Sequence, residues 1–234
     1  MGIKSFSIII PILNEKKNIN ILFESIKKNC SDYSYEIILV DDNSKDGSNE
    51  VLKKIKNRSK RFEYIIRKNK KNDLCKSISL GITKTKFDNI LIMDGDLQHD
   101  PKYLPTIMNI YAKKNPDFLV CVRDFKRNVG LSNLRSFSSK FLIFIINILF
   151  GKIVSDPMSG FFIFKKKIFF KFKNKMYGKG FKFLFDILYQ KKTKFRICEY
   201  KIVFKNRKKH LSKMNKTVLY HLIISIIKKI FNSF

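Results

Sequence analysis

The residues best equipped for chemistry lie in Asp94-Gly95-Asp96-Leu97-Gln98-His99-Asp100-Pro101. In an extended chain, alternate side chains share a side, so Asp94, Asp96 and Gln98 would present three oxygens to one point. Hard oxygen donors of this kind select Mg²⁺ or Mn²⁺, ions that complete their shells with phosphate oxygens and water. A divalent ion held there would neutralise a departing diphosphate. Gly95 allows close backbone approach to a ligand, and His99 reads as a loop histidine satisfied within the protein. Two further polar clusters accompany this one: Pro11-Ile12-Leu13-Asn14-Glu15, and Asp41-Asp42-Asn43-Ser44 followed by Asp46-Gly47-Ser48. The chain has only 19 Asp and Glu against 49 Lys and Arg, so three acidic clusters call for more than turn propensity.

Each cluster follows an apolar run with the character of a buried strand: Phe6–Ile10, Glu36–Val40 and Asn89–Met93. Helical spacing fills the intervals, over Glu15–Asn29, Asp46–Lys56 with Asp46 as cap, and Leu74–Thr83. A strand at Phe62–Ile66, a helix over Pro101–Lys114 and a strand at Asp117–Val122 continue the alternation. The expected fold is α/β, a mostly parallel sheet with helices on both faces and its ligands bound outside the carboxyl ends of the strands. Beyond Ser132 the pattern changes to long helices, a strand near Gly160–Phe164, a helix near Phe181–Tyr189 and a strand near Phe195–Phe204.

The order P-x-x-N-E, V-D-D-x-S-x-D-G-S and M-D-G-D-L-Q-H-x-P resembles the family 2 glycosyltransferases of the GT-A fold. More narrowly, it is similar to the dolichol-phosphate (polyprenyl-phosphate) mannosyltransferases. The narrower likeness rests on Val122-Arg123, Leu134-Arg135-Ser136, Asp156-Pro157-Met158-Ser159-Gly160-Phe161, Gly180-Phe181-Lys182-Phe183, and Ile202-Val203-Phe204 with Arg207, Ser212 and Lys213. It runs from about residue 5 to about 214. The resemblance implies that Pro11, Leu13, Glu15, Val40 and Asp42 hold base and ribose, and that Asp94 and Gly95 line the nucleotide sugar. It also implies that Asp96 and Gln98 bind the metal, that Arg207 and Lys213 grip the donor diphosphate with Lys182 near the donor, and that Arg123, Arg135 and Ser139 hold the acceptor phosphate. Asp94, Arg123 and Arg135 would be the catalytic groups. The implied activity moves a hexose, with GDP-mannose the favoured donor, to a polyprenyl or dolichyl monophosphate. Asp73 and Cys75 replace glycines of the family's G-L-G stretch, Lys201 replaces a proline, His210 a glycine and Leu13 a common tyrosine.

Physical reasoning supports the phosphate roles. Only eight of the 49 basic residues are Arg, and three of those eight, Arg123, Arg135 and Arg207, fall where a bidentate fork suits phosphate better than lysine. Arg135 and Ser139 are four apart, hence on one helix face. The apolar run Phe141–Phe150 continues that helix and sets an oily surface beside the clamp.

The net charge of +30 suits anionic partners, among them lipid headgroups. Four scattered cysteines form no C-x-x-C pair and read as reduced thiols. No apolar run reaches the roughly 20 residues needed to span a bilayer, and no signal peptide is expected before the first strand. These readings place the protein on the cytoplasmic face of a membrane as a peripheral enzyme, with scope for an anchoring partner subunit. A catalytic domain over 1–213 would carry an interface helix at 134–150, followed by an amphipathic tail helix at 214–234. Two other readings compete. One is a family 2 enzyme of surface polysaccharide or another lipid-linked sugar, using a UDP-sugar. The other is a nucleic-acid-binding module built on the basic, aromatic stretch Lys165–Lys173, which leaves the acidic clusters unexplained.

Overall fold

The computed structural model describes residues 5–68, 70–124, 133–190, 193–203 and 216–231 of the 234-residue chain, with side chains omitted at 133–140, 216–219 and 222. Seven strands form one sheet in the order β3-β2-β1-β4-β6-β5-β7. They are β1 Ser5–Ile12, β2 Ser34–Asp41, β3 Phe62–Ile66, β4 Asn89–Ile92, β5 Phe118–Arg123, β6 Phe162–Lys165 and β7 Ile197–Ile202. Strands β1 to β4 are mutually parallel, and β5 runs parallel to β7. Strand β6 lies antiparallel between β4 and β5. The mostly parallel sheet expected from the β-α alternation is therefore present, with one reversed strand.

That reversal matters for the site. Phe162 opens β6 opposite Ile92, the last residue of β4. The loop entering β6 therefore arrives at the edge where β1, β2, β4 and β5 end.

Both faces of the sheet are covered, and the period-2 pattern of the strands assigns each side. Ile8, Ile10 and Ile12 face one core, with α1 (Lys16–Asn29), α2 (Ser48–Arg58) and α4 (Leu104–Lys114) packed on it. Ile9, Ile38, Val40, Ile90 and Ile92 face the other. That side is covered by α3 (Leu74–Thr83), α6 (Lys166–Phe172) and α7 (Phe183–Leu188), with Ile146 of α5 (Asn133–Phe150) and Ile226 of α8 (Lys216–Phe231) joining it. The Lys165–Lys173 stretch is consequently half core, since Ile168, Phe169 and Phe172 are buried, Lys166 Nζ donates to the Thr85 carbonyl at 2.7 Å, and Lys167, Lys171 and Lys173 stay in solvent. Cys30, Cys75 and Cys121 are buried free thiols, as a reduced chain would hold them.

Candidate active site

The carboxyl ends of the strands are shaped by short turns that need left-handed backbone. Asn14, Asn43 and Leu97 adopt φ of 56°, 68° and 62°, and asparagine tolerates this region better than most residues. The first two turns lock together, as the Asn14 amide donates to Ser44 Oγ at 2.7 Å and Asn14 Oδ1 accepts from the Lys45 amide at 2.8 Å. Asp46 joins two helix starts, accepting from the Ser48 amide at 3.0 Å and the Lys16 amide at 2.9 Å. Burial opposes its charge, but the bonds from Ser48 and Lys16 prevail and its carboxyl titrates below the ordinary value.

At this edge a cavity of about 220 Å³ opens between the β1 and β4 ends on one side and the 157–160 and 181–184 segments on the other. Pro11, Glu15, Asp94, Gly95, Asp96 and Lys182 all line it. Six expected site residues, from three distant stretches of sequence, thus share one space. Ile78, Ile92, Phe162 and Phe183 supply apolar wall.

Asp94 occupies its place because residue 160 is glycine. A Cβ at position 160 would lie 2.5 Å from Asp94 Oδ2 and 2.8 Å from its Cγ. Gly95 has a different cause from ligand approach alone, since a Cβ there would meet Ile12 Cγ2 at 2.7 Å. His99 is buried, stacks on Phe161 at 5.1 Å, and its Nδ1 faces the Asp94 amide at 3.1 Å. The same Nδ1 lies 3.8 Å from Asp94 Oδ2, so His99 orders the start of the acidic turn through both the backbone and the side chain of Asp94. The loop-histidine reading agrees with this geometry.

The extended arrangement assumed for Asp94, Asp96 and Gln98 is not what forms. Strand β4 stops at Ile92, and the chain turns through 95–97. The Gln98 amide donates to Asp96 Oδ1 at 3.1 Å, and Gln98 is not among the residues lining the cavity. Asp94 and Asp96 remain together on it. Among the described residues, no three His, Cys, Asp or Glu side chains converge to cage a cation. Two carboxylates on an open cavity fit Mg²⁺ or Mn²⁺ drawing its other ligands from phosphate and water, and do not fit a closed all-protein site.

Three expected base or ribose contacts take other positions. Val40 is fully buried in the core beneath α3, so its side chain places β2 instead of touching a ligand. Leu13 is half-buried outside the cavity lining. Asp42 is buried and ion-paired with Arg67, and its other oxygen accepts the Asp73 amide at 2.5 Å. Burial pushes its pKa up, against the pull of the Asp73 amide and Arg67. Arg67 Nη1 also reaches the Asp73 carbonyl at 2.9 Å and Ser77 Oγ at 3.0 Å. Asp42 is thus a structural knot that ties β2 to α3. The departure at Asp73 has a local reason, because its carboxylate caps α3 by accepting the Lys76 amide at 3.1 Å.

Arg123 makes a forked pair with the fully buried Asp156, Nε to Oδ2 at 2.6 Å and Nη2 to Oδ1 at 3.2 Å. The fork fastens the 156–160 loop to β5, with help from Ser159 Oγ donating to the Cys121 carbonyl at 2.6 Å. Lys182 stands nearby. Burial and then Arg123 push its pKa below lysine's ordinary 10.5, while Asp156 and Asp94 partly restore it. Arg135 and Ser139 lie one turn apart on α5. Arg207 and Lys213 fall outside the described residues.

Residue reasoning assigned no role to Asp156, Gly160 or Arg67. The usable signals were the scarcity of acids, which makes a lone Asp156 conspicuous, and the scarcity of arginines, which applies equally to Arg67.

Comparison with known proteins bears on the family and the fold. The family model for glycosyl transferase family 2 matches residues 7–172. A dolichol-phosphate mannosyltransferase from Pyrococcus furiosus is 31% identical over 222 residues, covering 92% of this chain and 61% of that protein. An undecaprenyl-phosphate 4-deoxy-4-formamido-L-arabinose transferase from Yersinia enterocolitica is 31% identical over 156 residues, covering 66% of this chain and 46% of that protein. The chain therefore spans about half to three fifths of these relatives. Among solved structures, glucosyl-3-phosphoglycerate synthase from Mycobacterium tuberculosis, in complex with Mn²⁺, UDP-glucose and phosphoglyceric acid, superposes with a TM-score of 0.73 at 16% identity. That match covers 95% of this chain and 80% of the other, and it supports the GT-A fold.

Proposed function

Given that this chain belongs to glycosyl transferase family 2, we propose that it transfers a hexose from a nucleotide diphosphate sugar to a polyprenyl monophosphate, with GDP-mannose the favoured donor. The observation that carries this reading is the convergence of Glu15, Asp94, Asp96 and Lys182 on one cavity at the carboxyl edge of the sheet. The names of the two relatives, a dolichol-phosphate and an undecaprenyl-phosphate transferase, support the acceptor class. The first supports mannose.

In this reading Pro11 and Glu15 flank the nucleoside, and Asp94 and Gly95 line the sugar diphosphate. Lys182 sets a positive charge beside the leaving phosphates. Asp96, with Asp94 beside it, would hold Mg²⁺ or Mn²⁺, which when bound neutralises the diphosphate. The apolar walls lower the local dielectric, so each fixed charge counts for more than it would in water. The acceptor's second pKa of about 6 makes it largely a dianion at neutral pH. It therefore needs orientation more than a general base. A phosphate oxygen forms the bond to C1 while the bond from C1 to the diphosphate breaks, its electron pair leaves with the nucleoside diphosphate, and the anomeric centre inverts. Arg123 and the α5 residues Arg135 and Ser139 are the proposed acceptor grip, with Arg207 and Lys213 assigned to the donor.

The acceptor's oily chain gives meaning to two exposed stripes. On α5, Phe141, Phe144 and Ile148 face outward, with Phe144 59% and Ile148 66% exposed. On α8, Tyr220, Ile223, Ile227 and Phe231 do the same. Both helices pack on the same side of the sheet. No described helix is long and apolar enough to cross a membrane, and these faces suit a protein resting on the cytoplasmic leaflet.

The test is incubation of purified protein with Mn²⁺, polyprenyl phosphate and a panel of labelled nucleotide sugars. Label should enter the lipid phase, most from GDP-mannose. Transfer only to water-soluble acceptors would refute the lipid-phosphate reading, and transfer to lipid from a UDP-sugar alone would replace the donor.

A further inference from the structure

Lys182 reaches the cavity at the end of a tight segment, residues 177–182, whose fixation is unusual. Its backbone is held mainly by side chains. The Tyr177 amide donates to Asp186 Oδ1 at 3.1 Å, and the Gly178 amide to Asp186 Oδ2 at 2.7 Å. The Gly180 amide donates to Asp73 Oδ1 at 3.0 Å, while the Gly180 carbonyl accepts from the Cys75 amide at 2.9 Å. Gly180 has a φ of +88°, and a Cβ there would lie 2.9 Å from His221 Cβ.

The remaining contacts come from α8, far along the chain. Lys229 Nζ lies 3.1 Å from Asp186 Oδ1 and donates to the carbonyls of Asp186 at 2.7 Å and Tyr189 at 3.1 Å. It thereby neutralises the buried carboxylate that grips the segment and caps the end of α7 as well. His221 Nδ1 bonds Tyr177 Oη at 2.9 Å, and the Lys228 ammonium lies 5.2 Å from the centre of the Tyr177 ring. His221, buried Ser225 and Lys229 follow one another at steps of four, so they form a single inward face of α8. The outward face is the apolar stripe of Tyr220, Ile223, Ile227 and Phe231.

We propose that α8 is a positioning element of the donor site, in which Lys229 through Asp186 and His221 through Tyr177 fix the 177–182 segment and so hold Lys182 at the cavity. The proposal rests on the reading of that cavity as the nucleotide-sugar site. Neither Lys229 nor His221 is among the residues lining the cavity. They are positioning residues, and their loss should act on donor binding more than on the chemical step.

The test uses the full chain as wild type and as Lys229→Met, Lys229→Arg and His221→Ala. Amide hydrogen exchange is read at Tyr177, Gly178 and Gly180, with β1 and β2 as internal control, and kinetics are measured with GDP-mannose, Mn²⁺ and polyprenyl phosphate. Lys229→Met should speed exchange at the three amides about tenfold or more, the order expected when a hydrogen bond to a charged group is lost. The β1 and β2 amides should keep wild-type rates. The KM for GDP-mannose should rise about tenfold with kcat changed much less, and Lys229→Arg should restore both. His221→Ala should shift the same quantities in the same direction, by about threefold. Unchanged exchange at the three amides in both variants overturns the proposal, as does acceleration spread evenly into β1 and β2 in both. If Lys229→Met fails to fold, His221→Ala decides. Local acceleration in a protein that binds no nucleotide sugar even as wild type would uphold the positioning role and sink the donor-site reading instead.

Discussion

Replacing Gly160 by Ala tests the cavity geometry with one added carbon. The new Cβ would stand 2.5 Å from Asp94 Oδ2, where ordinary contact begins at 3.4 Å, so the carboxylate must retreat by about 0.9 Å (3.4 minus 2.5). It has room to do so, because the Asp94 side chain is 38% exposed toward the cavity. Relief therefore comes from moving the carboxylate, and the core is left alone. A misplacement of about 1 Å costs on the order of 10²-fold in rate, near 2.7 kcal/mol of transition-state stabilisation. Gly160→Ala should accordingly lower kcat/KM about 100-fold in a lipid-extraction transfer assay, while its melting temperature stays within about 3 °C of wild type. Full activity in a variant of unchanged stability would show that the carboxylate is not needed where the structure puts it. The reasoning that links Gly160 to Asp94 would then be wrong.

Other substitutions separate structural from chemical roles. Asp42→Ala leaves Arg67 buried and uncompensated, so chemical denaturation should show a loss of about 3 kcal/mol or more; a change confined to nucleotide affinity would return Asp42 to the binding site. The lowered pKa of Lys182 means its charge is lost on raising pH before that of an ordinary lysine. Donor KM should therefore climb with an alkaline limb below pH 10.5, and Lys182→Arg should push that limb upward; a limb unmoved by the substitution assigns it to another group. Ile223→Asp with Ile227→Asp places charge on the exposed α8 stripe, and should lower co-sedimentation with anionic vesicles several-fold without altering the melting temperature. Wild-type vesicle binding in that double variant removes α8 from the membrane contact.

Much of this arrangement could be read from residues alone, and the exceptions share a cause. Strands β1, β2 and β4 announce themselves as continuous apolar runs because both their faces are buried. Their polar ends follow from the topology, which is why Glu15, Asp94 and Asp96 could be grouped before any coordinates. The direction of β6 could not, since a four-residue run looks the same whichever way it enters the sheet. Periodicity also failed at Gln98, where the left-handed Leu97 breaks the extended chain on which the alternation argument depended. The family resemblance assigns Asp42 to the base and ribose, and nothing in its own stretch of sequence points to an ion pair. Its partner Arg67 lies 25 positions away, where local pattern has no reach. The same holds for Lys229, whose place beside Asp186 spans 43 positions. Contacts within a motif are legible. Those that bind one motif to another depend on packing.

The central claim is that a nucleoside diphosphate and a divalent cation meet at Asp94 and Asp96. The most direct measurement is a manganese anomalous-difference map from crystals grown with GDP and Mn²⁺, alongside the Asp96→Ala variant. The account predicts one strong peak in the cavity, within about 2.0–2.3 Å of an Asp96 oxygen, bridged to the diphosphate and lost in the variant. A nucleotide bound elsewhere on the protein, or manganese retained at full occupancy without the Asp96 carboxylate, would contradict it.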